Sequence, residues 1–172
     1  MMDSKDWLIV GISGVTCSGK TILAKELHNK LNGSILIHQD NYFLLPNDPR
    51  HTKIAALNHI NWEILSSLDM DRMYLDIKQL LNSTPNDLNN AGKKSKRILI
   101  LEGFLLFGSI RTYDPADVPG YFEEVVWPEY LKHLSTIMQD ENASTELIFV
   151  DGTMEKDEMV QMVLTKIQHL LS

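Results

Sequence analysis

Residues 14–21 read Gly14-Val15-Thr16-Cys17-Ser18-Gly19-Lys20-Thr21 and match G-x-x-x-x-G-K-[ST] at every fixed position. This motif constrains the fold because it works only between a strand and a helix. Its glycines let backbone N–H groups turn toward a phosphate, and the helix that follows presents the positive end of its dipole there. Both flanks are present. Trp7 to Ile12 is an apolar run with the length of a buried strand, and beyond the loop Leu23, Leu27 and Leu31 fall at i, i+4 and i+8, with Ala24 beside them. Lys20 would then reach the terminal phosphates of a nucleoside triphosphate, and the Thr21 hydroxyl would take a place on Mg²⁺.

The rest of the chain suits a single domain over 1–172, long enough to bury a core without staples. With 44% hydrophobic and 23% charged residues it does not have the composition of a disordered segment. Cys17, inside the loop, is the one cysteine, so no internal disulfide can form and a reducing, cytoplasmic location is expected. No apolar run nears the ~20 residues of a membrane span, and Met1 to Asp6 lack the basic and apolar regions of a signal peptide. A net charge of −7 disfavours nucleic acid as a partner. A monomer acting on small molecules is the expectation. The basic residues are unevenly placed: from Gly103 onward there are only Arg111, Lys132, Lys156 and Lys166 against twelve acids. The four arginines are Arg50, Arg72, Arg97 and Arg111, few for chemistry that favours cations over a transferring phosphate.

Strand and helix patterns alternate, which predicts an α/β fold with a parallel sheet. Strands are expected at 7–12, 34–38, 97–102 and 147–150. Helical patterns cover 62–81, with Asp69 as a cap, then 128–139 opening at Pro128, and a closing helix capped by Asp151-Gly152-Thr153. Met159, Val163 and Ile167 give that last helix its apolar stripe. Residues 41–61 form a long irregular loop of the kind that carries function in a compact domain. Ligands of parallel sheets bind beyond the carboxyl ends of the strands. Three features fall there: the phosphate loop, Asp40 and Glu102.

Asp40 at a strand end suits a base toward a substrate hydroxyl, or a metal-bound water, against the alternative of a turn former. Glu102 has the matching choice between a phosphate-site acid and a turn acid. Tyr42, Phe43, Trp62, Tyr113 and Tyr121 lie in or beside loops and could stack on a flat base, or else anchor those loops to the core. His38, His51 and His59 show no metal spacing and read as structural or exposed.

Five segments in order carry a resemblance. They are Gly11 to Thr21, Gln39-Asp40-Asn41-Tyr42-Phe43, Asn61-Trp62-Glu63, Leu101-Glu102-Gly103-Phe104-Leu105-Leu106-Phe107, and Asp117-Val118-Pro119-Gly120-Tyr121-Phe122. Together they resemble the nicotinamide riboside kinases, relatives of the uridine and pantothenate kinases, over nearly the whole chain. The resemblance implies a three-layer α/β/α fold of the P-loop NTPase type and transfer of the ATP γ-phosphate to the 5′-hydroxyl of nicotinamide riboside, a step of NAD biosynthesis. It implies Asp40 as base and Lys20 as its catalytic companion, with Thr21, Asp40 and Glu102 around Mg²⁺. It places ATP on residues 14–21 and on Arg111, Thr112 and Tyr113. It places the nucleoside on Asp40, Asn41, Tyr42, Phe43, Trp62, Glu63, Tyr113, Asp114 and Asp117. Trp62 and Tyr113 would flank the charged nicotinamide ring, which aromatic faces attract. Glu63 stands where the family usually has aspartate.

One departure stands out. Family members carry a strand, a helix and an arginine-rich lid portion between the Phe-Leu-Leu-Phe segment and the Arg-x-Tyr of the lid. Here Phe107 is followed by Gly108-Ser109-Ile110 and then Arg111-Thr112-Tyr113. The lid, at 108–120, is therefore short, and the family's strand order 2-3-1-4-5 loses its fourth member. The last strand, 147–150, would then either slide against the first or stand apart with unpaired backbone groups, and the cost of burying such groups favours the first. Alternatives to a working kinase for nicotinamide riboside are a non-productive nucleotide-binding form of the family and a uridine- or cytidine-type nucleoside kinase.

Overall fold

The computed structural model describes residues 6–14, 18–83, 96–103, 118–138 and 146–172. Its centre is a parallel sheet of β1 (Trp7–Ile12), β2 (Ile35–His38) and β5 (Arg97–Glu102), in the order β1-β5-β2. β5 lies in the middle, and its apolar Arg97-Ile98-Leu99-Ile100-Leu101-Glu102 run explains the position. Leu99 and Ile100 are fully buried on opposite sides of it. Register aligns the carboxyl ends, with Ile12 and His38 each opposite Glu102.

Helix α1 (Lys20–Lys30) follows the phosphate loop, and α4 (Lys156–Leu171) closes the chain. The two stripes read from the sequence meet in one core. Leu23, Leu27 and Leu31 pack with Met159, Val163 and Ile167 over Ile98 and Ile100 of the sheet. A second cluster joins Tyr42, Leu68 and Met73, where α2 (Met70–Asn82) lies against the turn after β2. A third holds Tyr121, Val125 and Val126 against the loop that carries Trp62.

Several boundaries differ from expectation. α2 starts at Met70, not Trp62, because Asp69 accepts a hydrogen bond from the Arg72 N–H (3.1 Å) and starts the helix there. Residues 62–69 hold instead a 3₁₀ turn, Leu65–Ser67. The loop at 41–61 contains a short antiparallel hairpin, β3 (Lys53–Ile54) with β4 (His59–Ile60). α3 (Trp127–Met138) continues a helical coil that begins at Tyr121 through a π-helical turn, Phe122–Val126, so Pro128 is not its first residue. Thr153 does not cap α4. Its N–H and hydroxyl both donate to Asp151 Oδ1 (2.9 and 2.7 Å), which makes a separate turn before Lys156.

The fourth strand, expected at 147–150, does not form. Among the described residues β1 pairs only with β5, and residues 146–150 run without a ladder. Leu147, Ile148 and Phe149 are exposed, and Val150 alone of the run packs on the main core. A four-residue strand needs a neighbour to accept its N–H groups. Among the described residues none lies beside it, and in an exposed segment unpaired N–H groups can be met by water at little cost.

Candidate active site

At the start of α1, Gly19 sits at the cap position with φ 80°, a left-handed conformation that favours glycine. No side chain caps the helix and its first turn holds no acid, so its first N–H groups face the loop without a competing carboxylate. Gly14 and Ser18 lie close together: a side chain on Gly14 would meet Ser18 Oγ at 2.8 Å. Val15, Thr16 and Cys17 lie outside the described residues.

Behind the loop stands Glu102, fully buried at the end of β5. Thr21 Oγ1 donates to its Oε1 (3.0 Å), and His38 Nδ1 meets its Oε2 at 2.7 Å. Each carboxylate oxygen therefore has its own partner, which offsets the cost of burying the charge. Glu102 thus meets the threonine that ends the phosphate-loop motif. The histidine was not legible as part of the site. It lies 64 positions from Glu102 in sequence and meets it only through the β2–β5 register.

β2 runs directly into the 3₁₀ turn Gln39–Tyr42, which carries Asp40 half-buried beyond the strand end. Gly103 lies between this turn and the end of β1. Its N–H donates to Ile12 O (3.2 Å), its carbonyl accepts from Ser13 Oγ (3.0 Å), and on the other side a Cβ at Gly103 would meet Gln39 at 2.5 Å. Asn41 is exposed. Tyr42 is buried, with its hydroxyl donating to Asp76 Oδ2 (2.9 Å). Burial first, and then this bond, hold its phenol above the usual pKa. Its ring belongs to the second core cluster.

The Trp62 ring is met edge-on by Phe43 (5.6 Å between ring centres) and by His51 (4.6 Å). Glu63, next along, is buried, and its N–H is accepted by Asn61 Oδ1 (3.0 Å). Tyr121 is 1% exposed, so it is an anchor and not a stacking platform. Arg111, Thr112, Tyr113, Asp114 and Asp117 lie outside the described residues. The three described arginines are engaged elsewhere. Arg50 forks onto Asp48, Arg72 lies over the Tyr42 ring and Arg97 over the Trp7 ring.

A cleft of about 190 Å³ opens beside the phosphate loop, lined by Ser18, Gly19, Ile22, Gly152, Met154 and Lys156. The Asp151–Met154 turn brings it there, and a side chain on Gly152 would approach Ser18 O at 3.7 Å. The sequence signal for it was Gly152 in a strand-to-helix turn, which reads as a cap. Lys156 is bonded to Glu26 (3.0 Å) and ties α4 to α1, which lowers the glutamate pKa and raises that of the lysine.

Among the described residues no three of His, Cys, Asp and Glu gather into a metal cage, and no helix is long and apolar enough to cross a membrane. A hydroxyl and a buried carboxylate at a helix start are an all-oxygen donor set. They fit Mg²⁺, which keeps several waters and binds through one or two carboxylates plus phosphates.

No family model matches the chain. Comparison with known proteins finds relatives that span it. Nicotinamide riboside kinase 1 of Homo sapiens is 35% identical over 191 aligned residues, covering 94% of this chain and 93% of its own length. Nicotinamide riboside kinase 2 of Homo sapiens is 33% identical over 196, covering 95% and 82%. A uridine kinase of Lactiplantibacillus plantarum is 28% identical over 125, covering 64% and 58%. The first two alignments are longer than the 172 residues of this chain, so those relatives carry residues that it lacks.

Proposed function

This chain belongs to the nicotinamide riboside kinase family, and on that footing we propose that it transfers the γ-phosphate of ATP to the 5′-hydroxyl of nicotinamide riboside. The observation that carries the reading is the bond from Thr21 to buried Glu102 behind an uncapped helix start, in a chain aligned over nearly its full length with such kinases. The helix start and Lys20 bind the β- and γ-phosphates. The cleft beside Gly152 and Met154 receives the base end of ATP. Thr21, Glu102 and Asp40 would hold Mg²⁺, which when bound with ATP neutralises phosphate charge. Asp40 accepts the proton of the ribose hydroxyl as its oxygen bonds to phosphorus and ADP leaves.

Trp62 forms one wall of the nucleoside site, with Asn41, Phe43 and Glu63 beside it. Its face attracts the positively charged nicotinamide ring, an attraction a neutral uracil lacks. The lid roles of residues 111–114 and Asp117 rest on the family resemblance alone. With the three described arginines engaged elsewhere, the described residues offer few cations to clamp the phosphates, and turnover is expected to be slower than in longer members of the family. A coupled ADP-release assay on the purified chain, with nicotinamide riboside, uridine and cytidine in parallel, tests this. The reading requires the highest kcat/KM for nicotinamide riboside. Equal or better use of uridine would transfer the chain to a different substrate.

A further inference from the structure

Trp62 is held at two levels. Its ring is met edge-on by Phe43 and His51, and His51 is fixed by its Nε2–H donating to Leu45 O (2.9 Å). Its backbone is fixed from a remote segment: the Trp62 N–H donates to the hydroxyl of Tyr121 at 2.9 Å, 59 positions away. Trp62 lies just past the two-residue strand β4, beyond the reach of the hairpin ladder. The Tyr121 hydroxyl therefore takes the place of a strand neighbour. Tyr121 is itself 1% exposed, meets the His59 ring edge-on at 5.1 Å, and packs with Ile54, Leu57, Val118 and Val126. It also stands immediately before a π-helical turn, a distortion found often at functional sites.

We propose that Tyr121 is a positioning residue for Trp62, which locks the loop that carries Trp62 to the π-turn segment and so sets affinity for the nucleoside. The proposal rests on the reading of Trp62 as a wall of that site. A loop tryptophan without this bond would have to be ordered by the incoming nucleoside, and the cost would appear in binding. Asp40 sits on the turn after β2 and not on the segment that Tyr121 holds, so the loss is expected in nucleoside binding and not in the chemical step.

Tyr121→Phe keeps the ring and removes the hydroxyl that accepts from the Trp62 N–H. It is expected to raise KM for nicotinamide riboside about tenfold, with kcat and the KM for ATP within about twofold of the parent. In a background where Trp7 and Trp127 are phenylalanine, Trp62 is the sole tryptophan. There its emission in the ligand-free Tyr121→Phe protein should move to longer wavelength and be quenched more readily by acrylamide. In the parent, the Trp62 amide should be protected from hydrogen exchange. Unchanged emission with unchanged nucleoside KM in a folded variant overturns the proposal, as does a fall in kcat with KM unchanged, or rapid exchange of that amide in the parent. A parent that never binds nicotinamide riboside sinks the functional reading instead, and the emission and exchange measurements still decide the role of Tyr121.

Discussion

Gly103→Ala probes how the sheet places Asp40. A Cβ at Gly103 would stand 2.5 Å from Gln39 Cβ, 2.5 Å from its Oε1 and 2.9 Å from its Cδ. Non-bonded carbon contacts prefer about 3.5–4.0 Å, so the overlap is roughly 1 Å. Gln39 is 1% exposed and cannot swing into solvent. Overpacking of this kind costs about 1–3 kcal/mol, which for a chain of this size lowers Tm by about 2–12 °C. The backbone has to give, and the part that gives is the 3₁₀ turn Gln39–Tyr42, which contains Asp40. A base displaced by about 1 Å costs on the order of a hundredfold in rate. The variant should therefore melt somewhat lower, bind ATP like the parent by calorimetry, and lose about a hundredfold in kcat for the nucleoside. An unchanged Tm would refute the steric argument. A lowered Tm with unchanged kcat would refute the claim that this turn positions the base.

Lys20→Ala should weaken ATP binding about 10–100-fold by calorimetry, the worth of a charged hydrogen bond, and abolish transfer while leaving thermal unfolding near the parent's. Tyr42 gives a pH prediction. Burial, and then the bond to Asp76, raise its folded pKa above the ordinary 10.0. The stabilisation is therefore complete below about pH 10 and is lost as pH rises through the folded value. Urea unfolding of Tyr42→Phe against the parent should show a deficit of about 1–2 kcal/mol at pH 7 that shrinks above pH 10. A deficit that grows there would reverse the sign.

Much of the fold was legible because its signals are local. Gly14, Gly19, Lys20 and Thr21 stand at fixed spacing, and the stripes of Leu23, Leu27 and Leu31 and of Met159, Val163 and Ile167 predicted the faces that now meet. Three strands were recovered almost to the residue because each is an unbroken apolar run. What escaped depends on neighbours that no local pattern records. His38 read as structural until the β2–β5 register set it against Glu102. Tyr121 read equally as a stacking aromatic or a loop anchor until the fold buried it and set its hydroxyl on the Trp62 N–H. Residues 147–150 have the composition of a strand, but no described strand lies beside them, and the run stays open. The cleft at Gly152 and Met154 exists only because α4 returns to α1. The expectations for Arg111 to Asp114 and for Asp117 fall outside the described residues and stand on the resemblance alone.

The most direct test of the central claim is a single-turnover experiment with γ-labelled ATP, excess protein and nicotinamide riboside, run in parallel on the parent and on Asp40→Asn. The parent should move label into nicotinamide mononucleotide, however slowly. Asp40→Asn should bind ATP comparably and move almost none, because an amide cannot accept the hydroxyl proton. No labelled nucleotide from the parent, or equal label from both proteins, would contradict the account.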